Sequence, residues 1–201
     1  MRIIGLTGSI GMGKSATAEI FRTLGVPVHD SDAVVHELYR GEAARLIEAA
    51  FPGSTGAAGV DRGKLSSMTL GNPEALKRLE AIVHPLVRAR EEQFLQAARQ
   101  AGSRLVVKDV PLLFETGGAA RADVIVVVSA PEAVQRQRVL ARPGMTAARL
   151  AQILARQMPD AEKRKRAHAV IEIAALHGLA APSLAAVAAL ASEKWRRRWA
   201  G

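Results

Sequence analysis

The chain of 201 residues contains no cysteine. Disulfides, thiolate catalysis and cysteine-bound zinc are therefore excluded together. Aromatic residues make up only 3% of the chain, as four Phe, two Trp and one Tyr. Ala, Val, Leu and Ile must fill the core, and a base-stacking surface of the kind that grips single-stranded nucleic acid is hard to build. Asn72 is the only asparagine, so the N-K-x-D motif of guanine recognition is missing and a GTPase is disfavoured. No segment reaches about 18 uninterrupted apolar residues, and glycines interrupt the short apolar run at the N-terminus. A cytoplasmic protein without a membrane span or signal peptide is expected. Acidic residues are the scarcer charge, 19 Asp and Glu against 28 Lys and Arg, for a net charge of +9 and a pI near 10.8. That balance implies attraction to polyanions, whether nucleic acid, a membrane surface or a nucleotide. The basic clusters at Arg136, Arg138 and Arg142, at 163–166 and at 196–198 also fit solvated helix faces.

What is present suits one globular unit with mobile sub-regions, since 49% of the residues are hydrophobic and the length allows an ordinary α/β core. Short β-rich runs at 3–6, 26–28, 105–107, 124–128 and 169–171 alternate with helical patterns, which predicts parallel strands joined by helices. Residues 124–128 have no polar interruption, as expected of a strand buried on both faces. Ile20, Phe21 and Leu24 share a helical face before Gly25, and Ser129 with Glu132 fits a capping box around Pro131. Leu76, Leu79, Ile82 and Val83 open a long amphipathic helix that Pro85 should kink or break. A last packing helix is expected from Pro182 through Leu184, Val187, Ala191 and Trp195, with Trp199 on the same face. The Gly/Ser/Ala-rich residues 51–66 predict an exposed loop inside a helical insertion of about 33–100. Residues 143–166 read as a second basic, helical and mobile stretch, and there is no internal repeat.

The most informative segment is Gly8-Ser9-Ile10-Gly11-Met12-Gly13-Lys14-Ser15, which spells G-x-x-x-x-G-K-[ST] between an apolar run and a helical one. That is the context of a phosphate-binding loop. Glycines let backbone N–H groups surround phosphate oxygens, the lysine reaches the β- and γ-phosphates, and the Ser15 hydroxyl can ligate Mg²⁺. The helix starting near Lys14 adds its positive end. In open parallel sheets ligands bind beyond the carboxyl ends of the strands. Those ends carry the loop after Leu6, Asp30 and Asp32 after Val28, Asp109 after Val107, and Ser129 after Val128, so polar residues converge where a nucleotide phosphate would sit.

The ordered segments IIGLTGSIGMGKS, GVPVHDSDAVVHELY, LEAIVHPLVR, DVPLLFETG and APEAVQRQRVLARPGMT resemble the motifs of the dephospho-coenzyme A kinase family over about residues 3–158, and GVDRGKLSS fits the same pattern. HPLVR and PLLFE are far more specific than the phosphate loop alone. The resemblance implies an α/β P-loop NTPase fold: a five-stranded parallel sheet flanked by helices, with a helical acceptor-binding insertion at about 33–100 and a lid at about 138–166. The nucleotide-binding core would then comprise about 1–32, 101–137 and 167–201. It also implies transfer of the γ-phosphoryl of ATP, with Mg²⁺, to the ribose 3′-hydroxyl of dephospho-coenzyme A.

Phosphoryl transfer needs positioning and charge neutralisation, and a hydroxyl acceptor gains from a carboxylate that takes its proton. Lys14, Asp32 and Arg142 are the candidate catalytic residues. Gly8, Ser9, Ile10, Gly11, Met12, Gly13, Lys14, Ser15, Ala16, Arg138 and Arg142 are expected to bind ATP. Asp30 could share the role of Asp32, or else Asp32 caps the helix beginning near Ala33 while Asp30 satisfies turn amides. For the acceptor the resemblance implies Asp30, Asp32, His84, Pro85, Arg88, Asp109, Leu113, Phe114 and Glu115. Mg²⁺ would sit on Ser15, with Asp30 or Asp109 acting through water, although Asp109 could equally be the partner of Lys14. Arg138 and Arg142, four apart, match lid arginines that close over ATP, or a solvated face.

The sequence departs from the family at 169–174, AVIEIA, where a VIDNSG-like segment is usual near the adenine, so no adenine-contacting side chain carries over. Two other readings stand beside this one. The first is a different P-loop kinase acting on a nucleotide or small hydroxyl compound. The second is a nucleotide-regulated nucleic-acid-binding protein, suggested by the positive charge; the resemblance gives no reason to expect nucleic acid as a partner.

Overall fold

A computed structural model describes residues 1–173. The helix expected from Pro182, both tryptophans and the basic run 196–198 lie outside the described residues. Five strands form one parallel sheet: β1 (Arg2–Thr7), β2 (Val28–Asp30), β5 (Leu105–Asp109), β6 (Val124–Ser129) and β7 (Ala169–Glu172), in the order β2-β5-β1-β6-β7. Parallel register sets Leu6 opposite Asp109 on one side of β1 and Thr7 opposite Val127 on the other. All six residues of β6 are buried. Its side chains alternate between two cores, as period two requires. Val124, Val126 and Val128 pack with Ile4, Leu6, Ala18 and Phe21, whereas Ile125 and Val127 pack with Leu113 on the opposite face. Each fully buried Val or Leu side chain contributes roughly 1.5–3 kcal/mol.

The chain divides into two compact units, one of residues 1–29 with the chain from Ala98 onward, the other Asp30–Ala97. The first holds the sheet with α1 (Lys14–Thr23), α6 (Glu132–Leu140), α7 (Ala147–Leu154) and α8 (Asp160–Lys165). The second holds α2 (Ser31–Arg40), α3 (Glu42–Ala50), the hairpin of β3 (Thr55–Gly56) and β4 (Gly59–Val60), α4 (Arg62–Thr69) and nearly all of α5 (Pro73–Gln100). It has a core of its own, made by Leu38, Ala43, Ile47, Phe51, Leu65, Ala75 and Val83. No helix among the described residues is long and apolar enough to cross a membrane.

Several local expectations are corrected. Residues 51–66 are not a bare exposed loop, because Glu48 draws the segment into the β3–β4 hairpin through hydrogen bonds from the Gly53 and Thr55 amides and the Thr55 hydroxyl. Phe51, Ser54 and Leu65 are buried. The same three donors stabilise the charged carboxylate and hold the Glu48 carboxyl below the usual glutamate value, the Gly53 amide most strongly. Pro85 does not break α5, which is helical through it. β2 starts at Val28 rather than Val26, and Leu24, at the end of α1, is 46% exposed instead of joining Phe21 in the core.

Ser129 does not cap α6. Pro131 occupies the cap position with no side-chain hydrogen bond, and the Ser129 hydroxyl instead donates to Asp160 at 2.6 Å. The stretch 143–166 is helical in α7 and α8, but it is more than a basic surface, because Lys163 is fully buried.

Candidate active site

Residues 8–13 join β1 to α1, and the backbone explains two of the glycines. A Cβ on Gly8 would lie 2.5 Å from the Val128 carbonyl oxygen, and Gly13, with φ +99°, is the left-handed cap of α1. A side chain at either position would push the loop off β6 or strain the turn that aims the helix terminus.

Lys14 opens α1, and its ammonium donates to the Asp109 carboxylate. Asp109 is 2% exposed at the end of β5, delivered there by the β1–β5 register. Of the roles open to Asp109 on sequence, the structure displays the partner of Lys14. Ser15 and Ala16 are exposed in the first turn of α1. Ser9 and Met12 are buried, and the Met12 sulfur accepts from the Ala130 amide at 3.0 Å.

Three polar side chains, two of them not foreseen from the sequence, hold the loop from outside. Gln157 accepts from the Ile10 amide at 3.1 Å, and Gln135 donates to the Ile10 carbonyl at 2.8 Å. The Arg138 guanidinium donates to the Gly11 carbonyl. A glutamine at one polar position of a helix carries no local signal, so only the folded chain discloses the two Gln contacts. Arg142 lies beyond the end of α6, which stops at Leu140, so it does not share a helical face with Arg138. Its side chain is exposed, and its amide closes a turn onto Val139.

The PLLFE segment divides. Leu113 is fully buried against Ile125 and Val127 and pressed on Gly5, which places its side chain in the core. Phe114 is partly buried on the same cluster. Glu115 accepts from the Met158 amide at 2.7 Å and pairs with the buried Lys163 at 3.0 Å. Partial burial works to raise the Glu115 carboxyl. Hydrogen bonds from Met158, its own amide and Lys163, with the Lys163 charge, outweigh that and hold it below the usual glutamate value. Lys163 also donates to the Pro111 carbonyl, so α8 is tied to the loop after β5. Within the run 163–166, Arg164 is bound to Ser129 and Glu172, and Lys165 to Glu162. Glu172, where the family pattern is lost, is thus an ion-pair partner of α8.

In the Asp30–Ala97 unit the two neighbouring aspartates have separate environments. Asp30 caps α2, its Oδ1 accepting from the amides of Asp32 and Ala33 at 3.0 Å each. Asp32 is exposed in the first turn and lines a pocket of about 560 Å³ with Val35, Tyr39, Arg62, Leu65 and Leu79. His84, Pro85 and Arg88 are exposed on α5, His84 and Arg88 one turn apart on one face. Among the described residues no cluster of three or more His, Asp or Glu side chains could hold a metal by itself.

A parallel sheet with a G-x-x-x-x-G-K-S loop after its central strand, and a lysine held at the start of the next helix, defines the P-loop kinase class. The family model for dephospho-CoA kinase matches residues 2–176, and the chain belongs to that family. It is 61% identical over 172 residues to a dephospho-CoA kinase of Mesorhizobium japonicum, covering 86% of this chain and 87% of the relative. A dephospho-CoA kinase of Nitrobacter winogradskyi is 52% identical over 200 residues, 98% of this chain and 100% of the relative. Among solved structures, TT1252 from Thermus thermophilus superposes with a TM-score of 0.80 at 35% identity, covering 94% of this chain and 95% of that one.

Replacing Gln157 by Ala leaves the Ile10 amide without its partner, an unsatisfied donor that costs about 1–3 kcal/mol where buried. The KM for ATP should rise about fivefold or more while the KM for the acceptor is unchanged, as steady-state kinetics with each substrate varied will show. The lowered Glu115 carboxyl lends stability that is present above the ordinary glutamate pKa and lost as pH falls through its folded value. The gap in Tm between wild type and Glu115→Gln should therefore be widest near neutral pH and close as the pH falls below the ordinary glutamate pKa, measured by calorimetry.

Proposed function

We propose that this chain transfers the γ-phosphoryl of ATP to the ribose 3′-hydroxyl of dephospho-coenzyme A, releasing ADP and coenzyme A. The observation that carries the reading is Lys14, held by Asp109 at the foot of a G-x-x-x-x-G-K-S loop, in a chain that belongs to the dephospho-CoA kinase family. The reaction forms the bond from the 3′-oxygen to the γ-phosphorus and breaks the bond from that phosphorus to the β–γ bridging oxygen. The hydroxyl proton goes to a base, and the electron pair of the broken bond leaves on ADP.

Asp32 is our candidate for that base. Its neighbour Asp30 spends Oδ1 on two backbone amides, whereas Asp32 stands exposed at a pocket with room for part of an acceptor. Lys14 supplies positive charge to the β- and γ-phosphates, and the backbone amides of residues 8–16 bind them. Arg138 belongs with the ATP-binding residues, and the exposed Arg142 is suited to reach the transferring phosphoryl. The insertion of about 33–100, with His84, Pro85 and Arg88, is assigned to the acceptor, and residues 138–166 to a lid.

The residues present fit Mg²⁺. A hard cation that keeps several waters and takes one or two protein oxygens plus phosphates needs only the Ser15 hydroxyl and a nearby carboxylate such as Asp109. When bound with ATP, the ion neutralises charge on the β- and γ-oxygens. The same reading assigns the work to the cytoplasm.

Two variants test the roles. Asp32→Asn should fold normally and lose at least about a hundredfold in kcat, the span of a general base, with little change in the KM for ATP. Arg142→Ala should lower kcat more than it raises the KM for ATP. Both are read as acceptor-dependent ADP release with Mg-ATP and dephospho-coenzyme A.

A further inference from the structure

The proposed reaction leaves unexplained an exposed cation at the surface of the Asp30–Ala97 unit. Arg62 is the first residue of α4, following Asp61, whose carboxylate caps that helix by accepting from Gly63 and Lys64. The Arg62 guanidinium lies over the Tyr39 ring, 5.6 Å from its centroid, and its Nη2 is 3.1 Å from His36 Nδ1. These contacts fix its direction, yet no carboxylate pairs with it among the described residues. A guanidinium oriented by an aromatic face and left without a counter-ion is preorganised for an anion, and its planar fork suits phosphate oxygens.

The location narrows the anion. Arg62 lines the same pocket of about 560 Å³ as Asp32, with Val35, Leu65 and Leu79 supplying apolar wall and the half-buried Tyr39 also lining it. A volume of that size holds part of a nucleotide-like ligand. An acceptor that presents its 3′-hydroxyl to Asp32 carries its charge close by, because the 5′-diphosphate hangs from the same ribose.

We infer that Arg62, steered by Tyr39 and His36, is the acceptor-specificity residue that binds the 5′-diphosphate of the substrate whose 3′-hydroxyl reaches Asp32. The inference rests on the proposed acceptor reading of this unit. It adds what that reading lacks, a reason why an acceptor with two phosphates is chosen over an uncharged nucleoside. Arg62 acts on binding and orientation, not on the proton.

The experiment is steady-state kinetics of wild type, Arg62→Ala and Arg62→Lys, with dephospho-coenzyme A and ATP varied separately at several ionic strengths, and melting curves to verify folding. A charge-assisted hydrogen-bond pair predicts a rise of about ten- to a hundredfold in the KM for dephospho-coenzyme A in Arg62→Ala. The KM for ATP should stay the same and kcat should change less than about threefold. Because the interaction is ionic, the wild-type acceptor KM should rise with salt more steeply than that of Arg62→Ala, and Arg62→Lys should recover part of the loss. The inference is overturned if the acceptor KM is unaltered in Arg62→Ala. It is equally overturned if Arg62→Lys is as impaired as Arg62→Ala with the salt dependence of wild type intact, the result expected of a side chain that stacks on the base. Should Arg62→Ala fail to fold, Arg62→Lys and the wild-type salt dependence decide the matter on the same terms. Absence of acceptor-dependent turnover in wild type would instead refute the proposed function, which is a distinct outcome.

Discussion

The ion pair between Lys14 and Asp109 is the contact on which the nucleotide half of the molecule depends. A carboxylate that is 2% exposed requires a partner, and a phosphate-binding lysine requires a fixed direction. Parallel pairing of β1 with β5 answers both needs, because its register sets Asp109 opposite Leu6 at the sheet end from which the loop departs. The loop is then pinned at its strand end by the contact of Gly8 with β6 and at its helix end by the turn at Gly13. Its middle is gripped by Gln135, Gln157 and Arg138.

That grip extends outward through a second chain of contacts. Glu115 takes the amide of Met158, the residue after Gln157, and pairs with Lys163 beneath α8. A buried lysine is tolerable here because a carboxylate and the Pro111 carbonyl both receive it. The loop after β5, α8 and the phosphate loop are therefore coupled by hydrogen bonds through a few side chains. Lys163, which reads as one member of a basic surface run, is part of the framework.

The Asp30–Ala97 unit shows how adjacent identical residues come to differ. Asp30 ends β2 and meets the open amides at the start of α2, where a side-chain cap is worth about 1 kcal/mol. Asp32, two residues further, is already in the first turn and turns its carboxylate outward. Asp30 Oδ1 is occupied by two amides, whereas Asp32 is exposed and lines the pocket that also contains Arg62.

Local chemistry made part of this legible before folding. The glycine and lysine spacing of residues 8–15 depends on backbone geometry within a few residues, and the unbroken apolar run of β6 announces a strand buried on both faces. The ordered motifs identified the family for the same reason, since they are contiguous. Errors arose where a contact distant in sequence outweighed a local preference. Glu48 folded the 51–66 segment into a hairpin, and Asp160 took the Ser129 hydroxyl from its helix. The Gln157 and Gln135 clamps, the burial of Lys163 and the placement of Arg62 beside Asp32 also join residues far apart along the chain. By itself the sequence determined the phosphate loop, the strand periodicity and the family. Only the tertiary structure decided which polar side chains hold that loop and which are left free to meet substrate, because hydrogen-bond partners and burial are set by packing and not by neighbours in the chain.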